Sequence, residues 1–239
     1  MGELVKEKGV WAVSLLGFLA IAFSVCTVKI SPPLSEGSFV KLYQEALQSD
    51  FLVFLIPAAA ALPAGAVYVK ELKSRFLKLY LVRIDRLTYI KRKTVQVYAG
   101  GFFPFLFAGS ISFLLFFFFL YPLEKKGGID VRDVRDAFLK LLRVCLTGGI
   151  FAELSGVFAA LFQNYYMAYG LPFVCYYLLI ILKERYLPEF YALYPPEWIA
   201  AECDWGAGGK GLFLFLFASS VAAVLLHGIA LHIRLKEIV

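Results

Sequence analysis

Residues 70–93 read KELKSRFLKLYLVRIDRLTYIKRK, and this stretch decides the fold class. It holds nine of the chain's 24 Lys and Arg (Lys70, Lys73, Arg75, Lys78, Arg83, Arg86, Lys91, Arg92 and Lys93) against two acids, Glu71 and Asp85. Long uncharged apolar runs flank it on both sides. A basic block between two membrane spans is expected on the cytoplasmic side, because positive charge resists translocation. Its first half is amphipathic: Glu71, Arg75 and Lys78 fall at i, i+4 and i+7 of one helical face, and Leu72, Phe76, Leu79 and Tyr80 on another. A short surface helix is expected there. Asp85 is placed to cap the helix that becomes the next span, since a carboxylate can accept from its free amide hydrogens.

The composition around this block excludes a soluble globular domain. Of 239 residues, 61% are hydrophobic, 17% aromatic and 18% charged, and the mean hydropathy is +0.75. Such a chain has more apolar surface than it can bury against itself. The net charge of +6 would suit nucleic acid, but the excess is concentrated in one loop, and no aromatic-interleaved basic surface domain presents it. Membrane lipid headgroups are the expected counterpart, and nucleic acid is not.

Working outward, the uncharged runs predict six spans, at about 10–28, 51–69, 95–122, 144–162, 166–182 and 211–233, in a single membrane domain covering 1–239. The first run lacks a small-residue cleavage site and reads as a retained helix. Pro57 and Pro63 interrupt the second and predict kinks. Residues 29–50 read as an outside loop with a short helix near 40–48. Glu124 to Asp136 reads as a second outside loop, and Lys183 to Lys210 as a longer, amphipathic, partly re-entrant outside segment with many interfacial aromatics. On this topology the inside segments carry 13 basic and five acidic residues and the outside segments nine and twelve, which places both termini in the cytoplasm.

Chemistry-bearing patterns are few. Trp205 to Gly211, WGAGGKG, has a glycine before a lysine, but a phosphate loop needs glycine where Asp204 stands and Ser or Thr where Gly211 stands. His227 and His232 are five apart, do not share a helical face, and have no Cys, Asp or Glu near in sequence to complete a metal set. No nucleophile–His–acid spacing is visible. The chain is therefore not expected to be catalytic and has no cofactor of its own.

Glu153 is the one acid at mid-membrane, where an unpaired charge is expensive. It reads either as a polar contact on a substrate path or helix-pairing bond, or as a hydrogen-bonded structural glutamate. Ser110, Ser112, Ser155 and a partner chain are its candidate donors. Gly148, Ala152 and Gly156 form a small-residue stripe on the same span that lets another helix approach closely.

The stretch around residues 70–95 also resembles a known family. Glu71 at the end of the second span, Ser74 and Arg75 after it, and LYLVRIDRLTYIKRKTV (79–95) entering the third span are similar to the coupling-helix region of the type-2 ABC exporter permeases. Glu71, Arg83, Tyr89 and Lys93 occupy the matching positions. The six-helix layout and the longer outside segment before the last span are similar as well, so the resemblance covers nearly the whole chain. It implies an all-α membrane permease with a cytoplasmic coupling helix between helices 2 and 3. Glu71, Arg75, Lys78 and Arg83 would dock a separate cytoplasmic ABC ATPase subunit, which would carry ATP and Mg. A second permease copy or paralogue would complete the path for an amphipathic peptide, lipid or drug leaving the cytoplasm. The rival reading is a non-transporting scaffold or signalling component that recruits a cytoplasmic partner through the same basic loop.

Overall fold

The computed structural model describes residues 8–26, 35, 37–124, 130–206 and 210–238, with the side chains of Lys8, Lys78 and Ile238 excepted. The expected Lys78 side chain on the docking face, the N-terminal tail, and residues 207–209 of WGAGGKG lie outside the described residues. The described chain is all-helical: α1 (Lys8–Cys26), α2 (Ser38–Leu47), α3 (Asp50–Ala61), α4 (Val67–Lys73), α5 (Phe76–Arg83), α6 (Arg86–Leu120), α7 (Val131–Phe162), α8 (Tyr165–Arg185), α9 (Pro195–Ala200) and α10 (Gly211–Ile238), with single 3-10 turns at Tyr121–Leu123 and Tyr191–Leu193. Four of them, α6, α7, α8 and α10, are long and apolar enough to cross a membrane. This is the architecture of a membrane-embedded helical chain.

The axis of the bundle is α7, the most buried of the four, which packs on α6, α8, α10 and α3. Small residues set those crossings. A Cβ on Gly101 would lie 2.4 Å from the Ala152 methyl, and one on Gly148 would lie 2.6 Å from the Gly101 carbonyl oxygen, so α6 and α7 touch backbone to backbone. Phe105, fully buried, lays its ring against Gly148 beside this contact.

Two expected elements take a different form. The second run is not one kinked span. Pro57 is carried inside α3, but the helix ends at Ala61, and α4 starts only at Val67. Pro63 supplies no amide hydrogen, and Gly65 packs its backbone against the Ser155 hydroxyl, where a Cβ would come within 2.0 Å of Oγ. At 12 residues, α3 alone is shorter than the roughly 20 needed to cross. The third helix, by contrast, begins at Arg86 and runs 35 residues, so Lys91, Arg92 and Lys93 stand on its first turns and not in a loop.

The expected short helix near 40–48 is present as α2, and it is a packed element. Phe39, Val40, Tyr43 and Leu47 are buried against α6 and α7, and the Tyr43 hydroxyl donates to the Gly109 carbonyl at 3.0 Å. Glu124 accepts from the amides of Gly37 (3.2 Å) and Phe39 (2.6 Å), occupying the free donors at the α2 N-terminus. The segment after α8 likewise folds back on the bundle: Trp198 and Ile199 of α9 are buried in the main core.

Candidate functional site at the basic end of the bundle

The start of α1, α4, α5, the first turns of α6, and the C-terminal ends of α7 and α10 meet at one end. A second, smaller core forms there from Tyr68, Leu77, Tyr89, Ile90, Ala160, Ala230, Leu231 and Leu235. It fixes α4 and α5 on the ends of the long helices.

The basic stretch does not form one helix. Ser74 closes α4, Arg75 adopts a left-handed backbone (φ 59°), and α5 begins at Phe76. The expected shared face of Glu71, Arg75 and Lys78 is therefore interrupted at its middle residue. Glu71 also turns inward. Its Oε1 lies 2.5 Å from Lys93 Nζ, and its Oε2 accepts from the Tyr89 hydroxyl at 2.7 Å. The two charged side chains are 18% (Glu71) and 11% (Lys93) exposed, so this pair is mostly withdrawn from water. Lys93 Nζ donates in addition to Gln96 Oε1 at 3.1 Å. Three of the four positions singled out by the resemblance, Glu71, Tyr89 and Lys93, thus form one hydrogen-bonded cluster joining α4 to α6. Arg83 is not in it and is exposed at the end of α5.

Further ties make α4 and α5 parts of one rigid piece. Arg92 donates to the Tyr80 hydroxyl at 2.8 Å, and the Tyr80 and Tyr89 rings meet edge to face. Lys73 Nζ stands 4.5 Å over the Tyr165 ring at the start of α8. Asp85 occupies the N-cap position of α6 with the extended backbone a cap requires (φ −60°, ψ 141°), but its carboxylate makes no cap hydrogen bond.

On its far side α5 is bare. Phe76, Leu79 and Val82 are 50%, 69% and 87% exposed, while Leu77 on the opposite face is 1% exposed. Arg75 and Arg83, both exposed, stand at the two ends of this apolar row.

Deeper in the bundle, Glu153 is fully buried, and its partner is His227 of α10, with Oε2 2.6 Å from Nδ1. Two of the three expected serine donors are engaged elsewhere: Ser112 donates to the Ala108 carbonyl and Ser155 to the Ala168 carbonyl. Gly156 admits the imidazole, since a Cβ there would be 2.4 Å from His227 Cε1. Beside the pair, the Tyr98 hydroxyl bonds Ser220 Oγ at 3.1 Å, a second polar tie, from α6 to α10. The sequence argues against His227 as a metal ligand, and its pairing with Glu153, 74 positions away, is not legible from spacing. The signal that could have found it is the glycine one turn beyond Glu153, which clears room for a ring.

Compared with known protein-family models and with curated proteins, the sequence matches none.

Proposed function

We propose that this chain is the permease subunit of an ATP-driven exporter, acting with a second permease copy or paralogue and a separate cytoplasmic ATPase that holds ATP and Mg. One observation carries the reading: the apolar row Phe76, Leu79 and Val82 on α5 is bare at the end of the bundle where the basic residues gather. An apolar row flanked by cations suits either the lipid headgroup layer or a protein partner, and the resemblance of the stretch to a coupling helix favours the partner. A groove on a soluble partner, with acidic rims for Arg75 and Arg83, would cover it. The connection to motion is direct, because α5 runs into α6, and α4 is bolted to α6 through Glu71 and Lys93. A push on α5 therefore reaches the long helices. In this reading α1 and the α3–α4 pair complete six crossings, the basic end faces the cytoplasm, and the docking face is the apolar row with Arg75 and Arg83. Glu71 positions that face from behind.

An apolar groove of about 400 Å³ between α6 and α10, lined by Val95, Tyr98, Phe102, Phe103 and Val224, supports an amphipathic substrate, whose apolar part it would fit.

The test is co-expression of the chain with the ABC ATPase encoded nearest to its gene. The wild-type chain is expected to copurify with that ATPase and to raise its vanadate-sensitive ATP hydrolysis. Leu79→Glu with Val82→Glu, which changes only exposed side chains, should insert normally and lose both. If no ATPase binds, or if the double variant stimulates hydrolysis like wild type, the proposal fails. A partner bound through α5 without nucleotide hydrolysis would instead support the scaffold reading.

A further inference from the structure

At the end of the bundle opposite α5, a cavity of about 400 Å³ lies between the start of α3, the second half of α8 and the segment through α9. Its walls combine two kinds of group. Tyr176, Tyr177 and Tyr194 supply aromatic surface, and Asp50, Glu197 and Glu202 supply carboxylates. None of these three acids forms an ion pair among the described residues. Glu197 is the telling one: it is 5% exposed, and its Oε1 accepts from the Cys203 amide at 2.7 Å and from the Trp205 indole at 3.2 Å. Those bonds hold a buried carboxylate in the cavity wall, where no ion pair at contact distance claims it among the described residues.

We infer that this cavity binds an organic cation, an ammonium group carried on an apolar or aromatic body. Ammonium groups are attracted to the faces of tyrosine rings and to carboxylates together, and the cavity offers both. The Tyr194 ring already holds one ammonium of the chain itself, Lys183 Nζ at 4.6 Å from its centroid. The Tyr194 phenol is pushed up from its ordinary range by burial and then by the carboxylates of Glu184, Asp50, Glu197 and Glu202, so the field around this ring is negative. Two further cations stand at the rim and donate to uncharged groups of the cavity wall. Lys140 donates to Gln48 Oε1 at 3.1 Å, and Arg143 to the Ile199 and Ala200 carbonyls at 3.1 and 3.4 Å. A bare metal ion is a poor occupant. Calcium takes six to eight oxygens at close range, whereas no group of acids among the described residues is gathered tightly enough to hold a metal. Separated carboxylates with aromatic walls between them suit a larger, softer charge. The inference rests on the cavity alone and not on the exporter reading.

The experiment uses the full chain in nanodiscs of zwitterionic lipid, without any ATPase, and follows the fluorescence of Trp198 and Trp205 beside the cavity. Benzyltrimethylammonium is titrated against benzyl alcohol and benzenesulfonate, which share the ring and differ in charge. The cation is expected to bind saturably and at least tenfold more tightly than either. Asp50→Asn with Glu202→Gln should weaken it at least tenfold at an unchanged thermal midpoint, and Tyr177→Leu should weaken it without changing the preference for positive charge. If the double variant unfolds, the exposed Glu202→Gln alone is read, with a threefold loss expected. Equal binding of the three probes, or wild-type binding by the acid-neutralised variants, would overturn the site. Saturable competition by calcium but not by benzyltrimethylammonium would overturn it too. Because no ATPase is present, either outcome leaves the exporter test untouched.

Discussion

His227 Nδ1 and Glu153 Oε2 lie 2.6 Å apart in the interior of the bundle, on helices whose residues meet across 74 positions of sequence. Among the described residues the other carboxylate oxygen, Oε1, is buried without a hydrogen-bond partner. The pair therefore ties α7 to α10 through a single hydrogen bond and leaves part of the glutamate unsatisfied.

From this geometry Glu153→Gln should be mild, because an amide oxygen can still accept from Nδ1–H. Its cost is expected to stay near the ~1 kcal/mol of an ordinary hydrogen bond. Glu153→Leu strands the imidazole in an apolar site. It should cost about 3 kcal/mol if the pair is ionic and about 1–2 kcal/mol if it is neutral. Unfolding measured for the two variants, and for Glu153→Leu with His227→Phe, separates these cases. Recovery in the double variant identifies the loss as the stranded histidine. A Gln variant as damaged as the Leu variant would show that the carboxylate charge itself is required.

Gly156 and Gly170 make a matched test of the packing at that pair. A Cβ at Gly156 would drive into the His227 ring at 2.4 Å, whereas at Gly170 it would meet nothing within 4 Å. Gly156→Ala should lower stability and displace His227 from Glu153. Gly170→Ala, in the interior of α8, should be neutral or raise stability by about 0.5–1 kcal/mol through backbone entropy. Thermal unfolding of the two variants checks the contrast. Equal losses would mean that the imidazole does not need the space at Gly156.

These outcomes bear on what the sequence could reveal. Four of the charge-free runs marked where the long helices lie. Asp85 stands at the start of α6 without the expected cap hydrogen bond, and Pro63, read as a kink, falls in the break between α3 and α4. The break at Arg75 left no such trace: Ser-Arg-Phe-Leu reads as ordinary helix, and it is the burial of Tyr68 and Leu77 in one small core that bends the chain between them. The inward turn of Glu71 was hidden for a similar reason. Its partner Lys93 is 22 residues away, and although the resemblance singles out both residues, nothing in their spacing pairs them. Helical periodicity places side chains on one element and says nothing about which distant element claims them.

Arg75 holds a positive φ of 59° that glycine adopts without a Cβ penalty. Arg75→Gly is expected to stabilise the chain by about 1 kcal/mol while removing an exposed charge from the end of α5. In the exporter reading it should leave insertion intact and weaken ATPase binding. Unfolding and pull-down, measured together, separate the two effects. A destabilised Arg75→Gly chain would mean that the left-handed turn does not persist in the membrane.

The Glu71–Lys93 contact offers the sharpest division between a structural and a purely topogenic basic stretch. If the cations served topology alone, exchanging Glu71 and Lys93 would matter no more than changing either, since the loop charge is the same after the exchange. The cluster predicts otherwise. Glu71→Lys alone sets two ammonium groups against each other under the Tyr89 ring and removes the acceptor of the Tyr89 hydroxyl. The loss expected is about 1.5–3 kcal/mol, the range for hydrogen bonds to charged groups. Glu71→Lys with Lys93→Glu restores opposite charges across the same gap and should recover most of it, although the Tyr89 hydroxyl must then find the carboxylate on its own helix. Unfolding of the two single variants and the double, closed as a thermodynamic cycle, reads the coupling directly. A coupling near zero would mean that α4 is not bolted to α6 through this pair, and the route by which a push on α5 reaches the long helices would lose its anchor.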